Sequence, residues 1–452
     1  MIEKKMKQAR LIEGPVGKTL VNLTIPMIFG MVGLIIFNLT DTYFVGKLGA
    51  DQLAALSFTF PVIFIINSVA LGLGTGASVV ISRAIGEGDQ NKVRRLTTDS
   101  LLLSISIVII FVSIGLFTIN PLFTLLGASA EILILIKKYM VIWYVGMPFV
   151  VVPMVGNSAI RSTGDTKTPS VIMMIAASMN IIMDPLLIFG IGPFPALGIE
   201  GAAIATVIAR FTTFSVAIYV LGFRDKMITT RFPSFQKVLA SWQSVLFIGA
   251  PIAASRMVVP FSAGIITRLL SGFGNKVVAG FGVATRIEFF ALAVILSLST
   301  VYGPFVGQNL GAKKSKRIIQ SIKLTNRFAI LWGILLFIIL GISAPYIAGI
   351  FSKDAEVIST IVTFLRIVPF AYSLNGVFFL SSTVLNVLKK PYHSAGLIAF
   401  QMFIVYIPLA FLGAKYFAIK GVFMATATAM LTGGIFSYIV MRKQLKAILV
   451  WN

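Results

Sequence analysis

Continuous apolar stretches of roughly 20 residues and more recur about a dozen times along this chain, as in ILILIKKYMVIWYVGMPFVVVPMV, and no other feature limits its fold so tightly. A helix needs about 20 mostly apolar residues to cross the hydrocarbon core of a bilayer. Inside that core no water can bond to backbone N–H and C=O groups, so only helices and closed barrels span it. The stretches lack the period-2 alternation of barrel strands, which predicts an all-α integral membrane protein. Composition agrees. Hydrophobic residues make up 57% of the chain and charged residues 12%, against roughly 25% charged in soluble domains, and the mean hydropathy is +0.96.

Twelve transmembrane helices are expected, over 17–45, 52–85, 97–118, 132–160, 170–192, 198–222, 242–271, 277–309, 326–350, 356–388, 393–413 and 418–440. The net charge of +23 is not spread evenly between their connections. One set of alternate connections holds 25 Lys and Arg and the other holds 7, with 6 more inside spans, which accounts for all 38. The positive-inside rule then explains the charge without nucleic acid, and places both termini in the cytoplasm of a multi-pass protein of the plasma membrane. The basic N-terminus precedes an apolar segment long enough to span, with no small-residue cleavage site, so no cleavable signal is expected. The chain has no cysteine, which excludes disulfides and thiol chemistry. The single histidine, His393, follows a Lys-Lys-Pro turn and cannot build a zinc site by itself.

The chain repeats itself. Residues 26–86 align with 251–311 without a gap: Pro26 meets Pro251, Thr42 meets Thr267, Gly49 meets Gly274, Ala54 meets Ala279, Thr75 meets Thr300 and Gly86 meets Gly311. Pro169 then meets Pro391, Pro185 meets Pro408, and the Ile199, Glu200, Gly201, Ala205, Thr206 pattern meets Ile419, Lys420, Gly421, Ala425, Thr426. The offset stays between 220 and 225. Isolated Pro or Gly coincidences are common in membrane helices, but a steady offset over six spans is not. Six is an even number, so both copies enter from the same side. Two pseudo-symmetric six-helix lobes related by an axis along the membrane normal are therefore expected. The expected division is an N-lobe over 1–222, a charged cytoplasmic linker over 223–240 and a C-lobe over 241–452.

An ionisable side chain within a membrane span is costly, so each one is a candidate for function. Three of the fifteen acids lie well inside spans: Asp41, Asp184 and Glu288. Asp41 follows Pro26 by fifteen residues, and Pro26 deprives the Asn22 carbonyl of its helical donor and favours a bend. Asp184 has Asn180 one turn before it on the same face and Pro185 immediately after, freeing the Ile181 carbonyl. This oxygen-rich set suits a hard cation such as Na⁺, or a proton. Arg210 is the only basic residue deep in the first half, so it cannot simply neutralise both acids. Glu288 lies two residues after Arg286, with Arg256 and Arg268 in the preceding span, and reads as part of a structural ion pair. In the repeat, Asp41 faces Ile266, Asp184 faces Ile407 and Asn180 faces Phe403, while Thr206 is retained as Thr426. The candidate ion site is thus confined to one lobe of a symmetric scaffold.

At this point the sequence resembles the MATE (multidrug and toxic compound extrusion) family over nearly its whole length. The resemblance is carried by the Pro26 to Asp41-Thr42 spacing, R-A-I-G-E-G-D at 83–89, R-S-T-G-D-T-K-T-P at 161–169, N-x-x-x-D-P at 180–185 and I-E-G-A-A-x-A-T at 199–206. It looks most like the prokaryotic branch with a cation site in the N-lobe. That resemblance implies cation- or proton-binding roles for Asp41, Asn180, Asp184 and Thr206, with the backbone carbonyl of Ala202 beside them, and admits Na⁺ at the four side chains. It further implies that Pro26 is a bend point and that Tyr139 and Asn157 line the adjacent cavity. Phe37 stands near a place where this branch often has a tyrosine. The branch with acids in spans seven and ten is not matched, since those spans carry Arg256, Arg268 and Arg366 and no acid.

The function expected from this is secondary active multidrug export by alternating access. Cationic, amphipathic drugs would leave against H⁺ and/or Na⁺ bound at Asp41 and Asp184, in a monomer with no other cofactor, no nucleic acid partner and the lipid bilayer as its surroundings. The 37 Phe and 17 Met offer adaptable walls for such cargo, although most must simply face lipid. A flippase for lipid-linked sugars is the alternative within the larger exporter group. The arginines at 256, 268 and 286 would suit its pyrophosphate, but two extra spans common in such flippases are missing. A channel would need a filter or charged ring. An enzyme would need a catalytic constellation that the chain lacks.

Overall fold

The computed structural model describes residues 10–230 and 234–449, and among them there are helices and turns but no strand. The first half runs through α1 (Val16–Gly46), α2 (Ala50–Glu87), α3 (Gln90–Leu125), α4 (Ala130–Gly146), α5 (Pro148–Ser162), α6 (Lys167–Phe189) and α7 (Ile199–Tyr219), which ends in a π-helical turn at Val220–Arg224. The second half runs through α8 (Phe235–Ser271), α9 (Asn275–Gly311), α10 (Ser315–Phe351), α11 (Ala355–Ile367), α12 (Tyr372–Val387), α13 (Pro391–Ala399) and α14 (Ile407–Leu449). A 3₁₀ turn at Val368–Ala371 joins α11 to α12, and a π-helical segment at Phe400–Tyr406 joins α13 to α14.

Ten of these helical runs are long and apolar enough to cross a bilayer, and α4 with α5, bent by 42°, forms an eleventh. The twelfth is inside α14. Ala418 has φ 50° and ψ −136°, which no helix interior holds, so α14 is two helices meeting there. The break falls where the last span is expected to begin. Short connections are closed by side-chain caps: Asp89 accepts from the Lys92 amide at 2.9 Å to start α3, and Asp354 accepts from the Glu356 amide at 2.9 Å to start α11.

The chain packs as two compact units. One holds Val21–Ala250; the other holds Ile12–Leu20 and resumes at Pro251. The segment 223–240 therefore belongs to the first unit, apart from 231–233, which lie outside the described residues. Its attachment is to α3. Arg94 Nε donates to the Lys226 carbonyl at 3.0 Å, the Thr229 amide to Thr98 Oγ1 at 3.0 Å, and Trp242 Nε1 to the Asp99 carbonyl at 2.9 Å. In the second unit, Arg317 donates to the carbonyls of Gly14 and Glu13 at 2.7 and 3.1 Å, and Lys314 Nζ to that of Ile12 at 3.0 Å.

The sequence repeat is also a packing repeat. Gly74 on α2 lies against Ser158 on α5, and the residues 225 positions later, Ser299 on α9 and Thr383 on α12, share a 2.7 Å hydrogen bond. A Cβ added to Gly201 would strike the Leu187 carbonyl, and one added to its repeat partner Gly421 would strike the Gly413 carbonyl. Without a side chain at these positions, the fifth and sixth crossings of each unit meet backbone to backbone. Leu197 and Gly198 reinforce the first of these contacts, donating to the carbonyls of Leu187 and Ile188 at 3.0 and 3.1 Å.

At the polar end of the first unit, Arg224 gathers the α5–α6 loop. It donates to Asp165 Oδ2 at 2.7 Å, to Thr168 Oγ1 at 2.8 Å and to Asp225 Oδ1 at 2.9 Å. Burial by itself would raise the Asp165 pKa, but the hydroxyl and amide of Thr168, together with Arg224, outweigh it and hold the carboxyl below its ordinary 3.8.

Two outcomes are expected. Gly201→Leu should lower the melting temperature of the detergent-purified protein by several degrees, in keeping with an overpacking cost of about 1–3 kcal/mol. Gly282→Leu, where an added Cβ meets no atom within 4 Å, should not. Equal melts for the two would refute the close contact. For Asp165, a lowered folded pKa gives stability that is present above the ordinary carboxylate pKa and lost as pH falls through the lowered value. The wild-type melting temperature should therefore fall below about pH 4 more steeply than that of Asp165→Asn, with the two curves converging in acid.

Candidate functional site

The buried polar group of the first unit is assembled by α1, α4, α6 and α7. Met27 and Gly30 of α1 lie against Ser170 and Met173 of α6, with the Ser170 hydroxyl 3.6 Å from the Met27 sulfur, and Gly33 lies against Met174. Phe37 continues this seam against Ala176, Ala177 and Ala209. One turn further along α1, Asp41 comes within electrostatic reach of Asp184. On the other side of α6, the backbone contact at Gly201 brings α7 alongside in the opposite direction. Ala202 and Thr206 thereby lie on the stretch of α7 that runs past Asp184 and Asn180.

Asn180 and Asp184 are both fully buried, and Asn180 Nδ2 donates to Asp184 Oδ1 at 2.9 Å. This is the hydrogen bond that their one-turn spacing predicts. The remaining oxygens are less well served. Asp184 Oδ2, Asn180 Oδ1, Asp41 Oδ1 and Thr206 Oγ1 are all buried with no hydrogen-bond partner. Buried polar atoms are nearly always paired, so these four unpartnered oxygens, on three helices of one unit, are candidates to hold a ligand.

Arg210 belongs to this group, although the sequence reading does not place it among the site residues. It lies one turn after Thr206 on α7, and that spacing was the available signal. Its guanidinium sits over the Phe37 ring, 4.4 Å from the centroid, within electrostatic reach of Asp41 and Tyr139. Among the described residues it forms no ion pair with Asp41 or Asp184. Two carboxylates and one guanidinium leave one surplus negative charge when all three are ionised. A charge left uncompensated away from water costs several kcal/mol, so one proton or one monovalent cation is what this arrangement can accommodate.

The other expected residues divide. Tyr139, 2% exposed on α4, faces Asp41, Asp184 and Arg210 and shares a core cluster with the fully buried Ala202. Asn157 on α5 is buried with its Oδ1 unbonded, and among the described residues no hydrogen bond ties it to Asp41 or Asp184. Pro26 lies inside an α1 that continues through it. At 1.5 Å per residue it is about 22 Å along the helix from Asp41, outside the polar group. Among the described residues no cluster of three His, Cys, Asp or Glu side chains converges to hold a metal ion, so any cation here would rely on two carboxylates and neutral oxygens.

Glu288 corrects an expectation. It forms no ion pair with Arg256, Arg268 or Arg286 among the described residues, and its Oε1 is buried without a hydrogen-bond partner. Residues two apart on a helix point to opposite sides, and Arg286 is exposed while Glu288 turns inward.

The MatE family model matches the chain twice, over residues 26–186 and 251–412. The two matches begin at Pro26 and Pro251, the same pair that opens the internal repeat. The FAD transporter of Shewanella oneidensis is 38% identical over 428 residues, covering 95% of both chains. The probable multidrug resistance protein YoeA of Bacillus subtilis is 26% identical over 436 residues, covering 93% of each. Among solved structures, the Vibrio cholerae MATE transporter VcmN in its bent form superposes with a TM-score of 0.90 at 29% identity, over 95% of this chain and 97% of that one. With a doubled family pattern, full-length relatives that are transporters and a matching twelve-helix fold, the chain belongs to the MATE family of multi-pass membrane transporters.

Proposed function

We propose that this protein is an ion-coupled exporter of amphipathic small molecules, with the coupling ion, H⁺ or Na⁺, held in the first unit by Asp41, Asn180, Asp184 and Thr206. One observation carries the reading: the Asn180–Asp184 hydrogen bond leaves the outer oxygens of both residues, with those of Asp41 and Thr206, buried and unpartnered. The ion binds from outside the cell, with both termini cytoplasmic as the loop charges favour. It drives the cycle only through its different affinity for the two access states. Turning such an equilibrium from about 1:99 to about 99:1 takes roughly 5.5 kcal/mol of differential binding. Neutralising a surplus charge in a water-poor site is an interaction of that order. Arg210, stacked on Phe37 instead of bonded to Asp41, leaves the carboxylates available to the ion.

The cargo has two readings. In the first, supported by relatives named for multidrug resistance and multidrug export, the cargo is drugs, and we take these to be cationic and amphipathic. A second reading, an anionic flavin dinucleotide, is favoured by the FAD transporter at 38% identity. It is also favoured by Arg256, Arg268, Arg286 and Arg366, none of which forms an ion pair among the described residues. Aromatic walls would take the flavin ring and guanidinium groups the pyrophosphate.

Both are tested by the same reconstituted vesicles. Under an imposed Na⁺ or proton gradient, the wild type should export a cationic dye or FAD against its concentration. Asp41→Asn and Asp184→Asn should each reduce this by at least tenfold, the effect of about 1.4 kcal/mol or more of lost coupling. Monodisperse variants that transport at the wild-type rate would refute the ion site. Dye export without FAD export, or the reverse, decides the cargo.

A further inference from the structure

The second unit carries a groove of about 700 Å³ between α8 and the first part of α14. Gly264 keeps it open, since an added Cβ there meets no atom within 4 Å. Ile265, Leu269 and Phe411 flank it. Phe261 stands at the end nearer the bilayer interior, edge to face with Phe403 of the π-helical segment at a centroid distance of 6.2 Å. All of the lining residues but one are apolar, and the exception is Arg268.

Arg268 lies one turn before Ser271, where α8 ends, so it stands near the polar boundary while the groove runs back into hydrocarbon. From Pro260 to Arg268 the helix rises about 12 Å, most of one leaflet of a hydrocarbon core about 30 Å thick. Arg268 is exposed, and among the described residues it forms no ion pair. An arginine near a helix end can reach the interface merely to hydrate its charge. The repeat argues for more. Gly264 corresponds to Leu39 of the first unit, and Arg268 to Tyr43. Gly30 and Gly33, which let α1 lie against Met173 and Met174 of α6, correspond to Ser255 and Val258. Pro260 corresponds to Ile35; it removes the helical donor to the Arg256 carbonyl and favours a bend in α8. The opening and the cation thus occur together, where the second unit departs from the scaffold it shares with the first.

We propose that this groove binds one anionic phospholipid, with an acyl chain along Gly264 and the phosphate paired with Arg268. The charges are complementary, and a guanidinium can hold two phosphate oxygens at once. The apolar walls ask nothing of an acyl chain but contact, and the chain leaves no polar group unpaired among them. A zwitterionic lipid has the same phosphate but brings its own cation, so the net charge of the headgroup sets the preference. The inference does not rest on the exporter reading, because lipid binding is measured without transport.

The full-length protein, purified in a mild non-ionic detergent, is titrated with phosphatidylglycerol and, separately, with phosphatidylcholine of the same chains, and bound lipid is counted by native mass spectrometry. One phosphatidylglycerol per chain should bind roughly tenfold more tightly than phosphatidylcholine. Arg268→Gln should weaken phosphatidylglycerol by roughly tenfold, the loss of one hydrogen bond to a charged group, and bring the two lipids level. Gly264→Leu, which fills the groove, should remove the tightly bound lipid; if that variant is not monodisperse, Arg268→Gln decides. Lys353→Gln, which removes an exposed cation of the second unit outside the groove, should leave binding unchanged. Equal affinity of the wild type for the two lipids overturns the proposal, as does phosphatidylglycerol binding that Arg268→Gln leaves unchanged. Displacement of the bound lipid by FAD or by a cationic dye also overturns it, and makes the groove a surface for cargo.

Discussion

The hydrocarbon interior offers no hydrogen bonds, and every feature of this protein is a response to that constraint. It selects helices, because only a helix satisfies its own backbone within one crossing. It also makes departures from regular helix conspicuous. The α4–α5 bend precedes Pro148, the 3₁₀ turn contains Pro369, and the π-helical segment at Phe400–Tyr406 ends just before Pro408. Each proline removes a donor that the ladder would otherwise use, and the backbone relaxes locally around the loss. Two of these departures adjoin buried tyrosines, Tyr372 and Tyr406, that lie within electrostatic reach of Glu288.

The same constraint explains how acids are distributed. A buried carboxylate without a partner is tolerated only where something is gained from it. In the first unit Asp41 and Asp184 share a space with one guanidinium that prefers an aromatic face to either of them. The repeat partners of these acids are Ile266 and Ile407, so the scaffold repeats and the acids do not. What persists in both units is the packing. Gly201 and Gly421 each permit a backbone contact between the fifth and sixth crossings, and Thr206 and Thr426 sit five residues beyond them on the same helices.

Much of this was legible from residue order. Hydrophobic length gives the crossings, and a steady offset gives the doubling. The pairing of Asn180 with Asp184 follows from one-turn spacing, because neighbours on a single helix are local geometry. The last span is expected to begin at 418, and the helix breaks at Ala418. What was not legible depends on which helices meet. Arg210 was visible as a lone buried cation, but its seat over Phe37 requires α7 to lie against α1. Glu288 has three arginines nearby in sequence, yet its own helix turns Arg286 the other way, and Tyr372 and Tyr406, from two remote segments, come within electrostatic reach of it.

The division between units shows the same limit. The charged stretch 223–240 reads as a linker, but hydrogen bonds from Lys226 through Trp242 to α3 tie it to the first unit, and the packing boundary falls inside α8 at Ala250. Sequence by itself determined the membrane fold, the twofold repetition and the two acids that define the first polar group, since these follow from periodicity, charge and local spacing. Tertiary structure decided where the Arg210 guanidinium rests, that Glu288 lacks an arginine partner among the described residues and where one unit ends, since each of these depends on contacts between helices far apart in the chain.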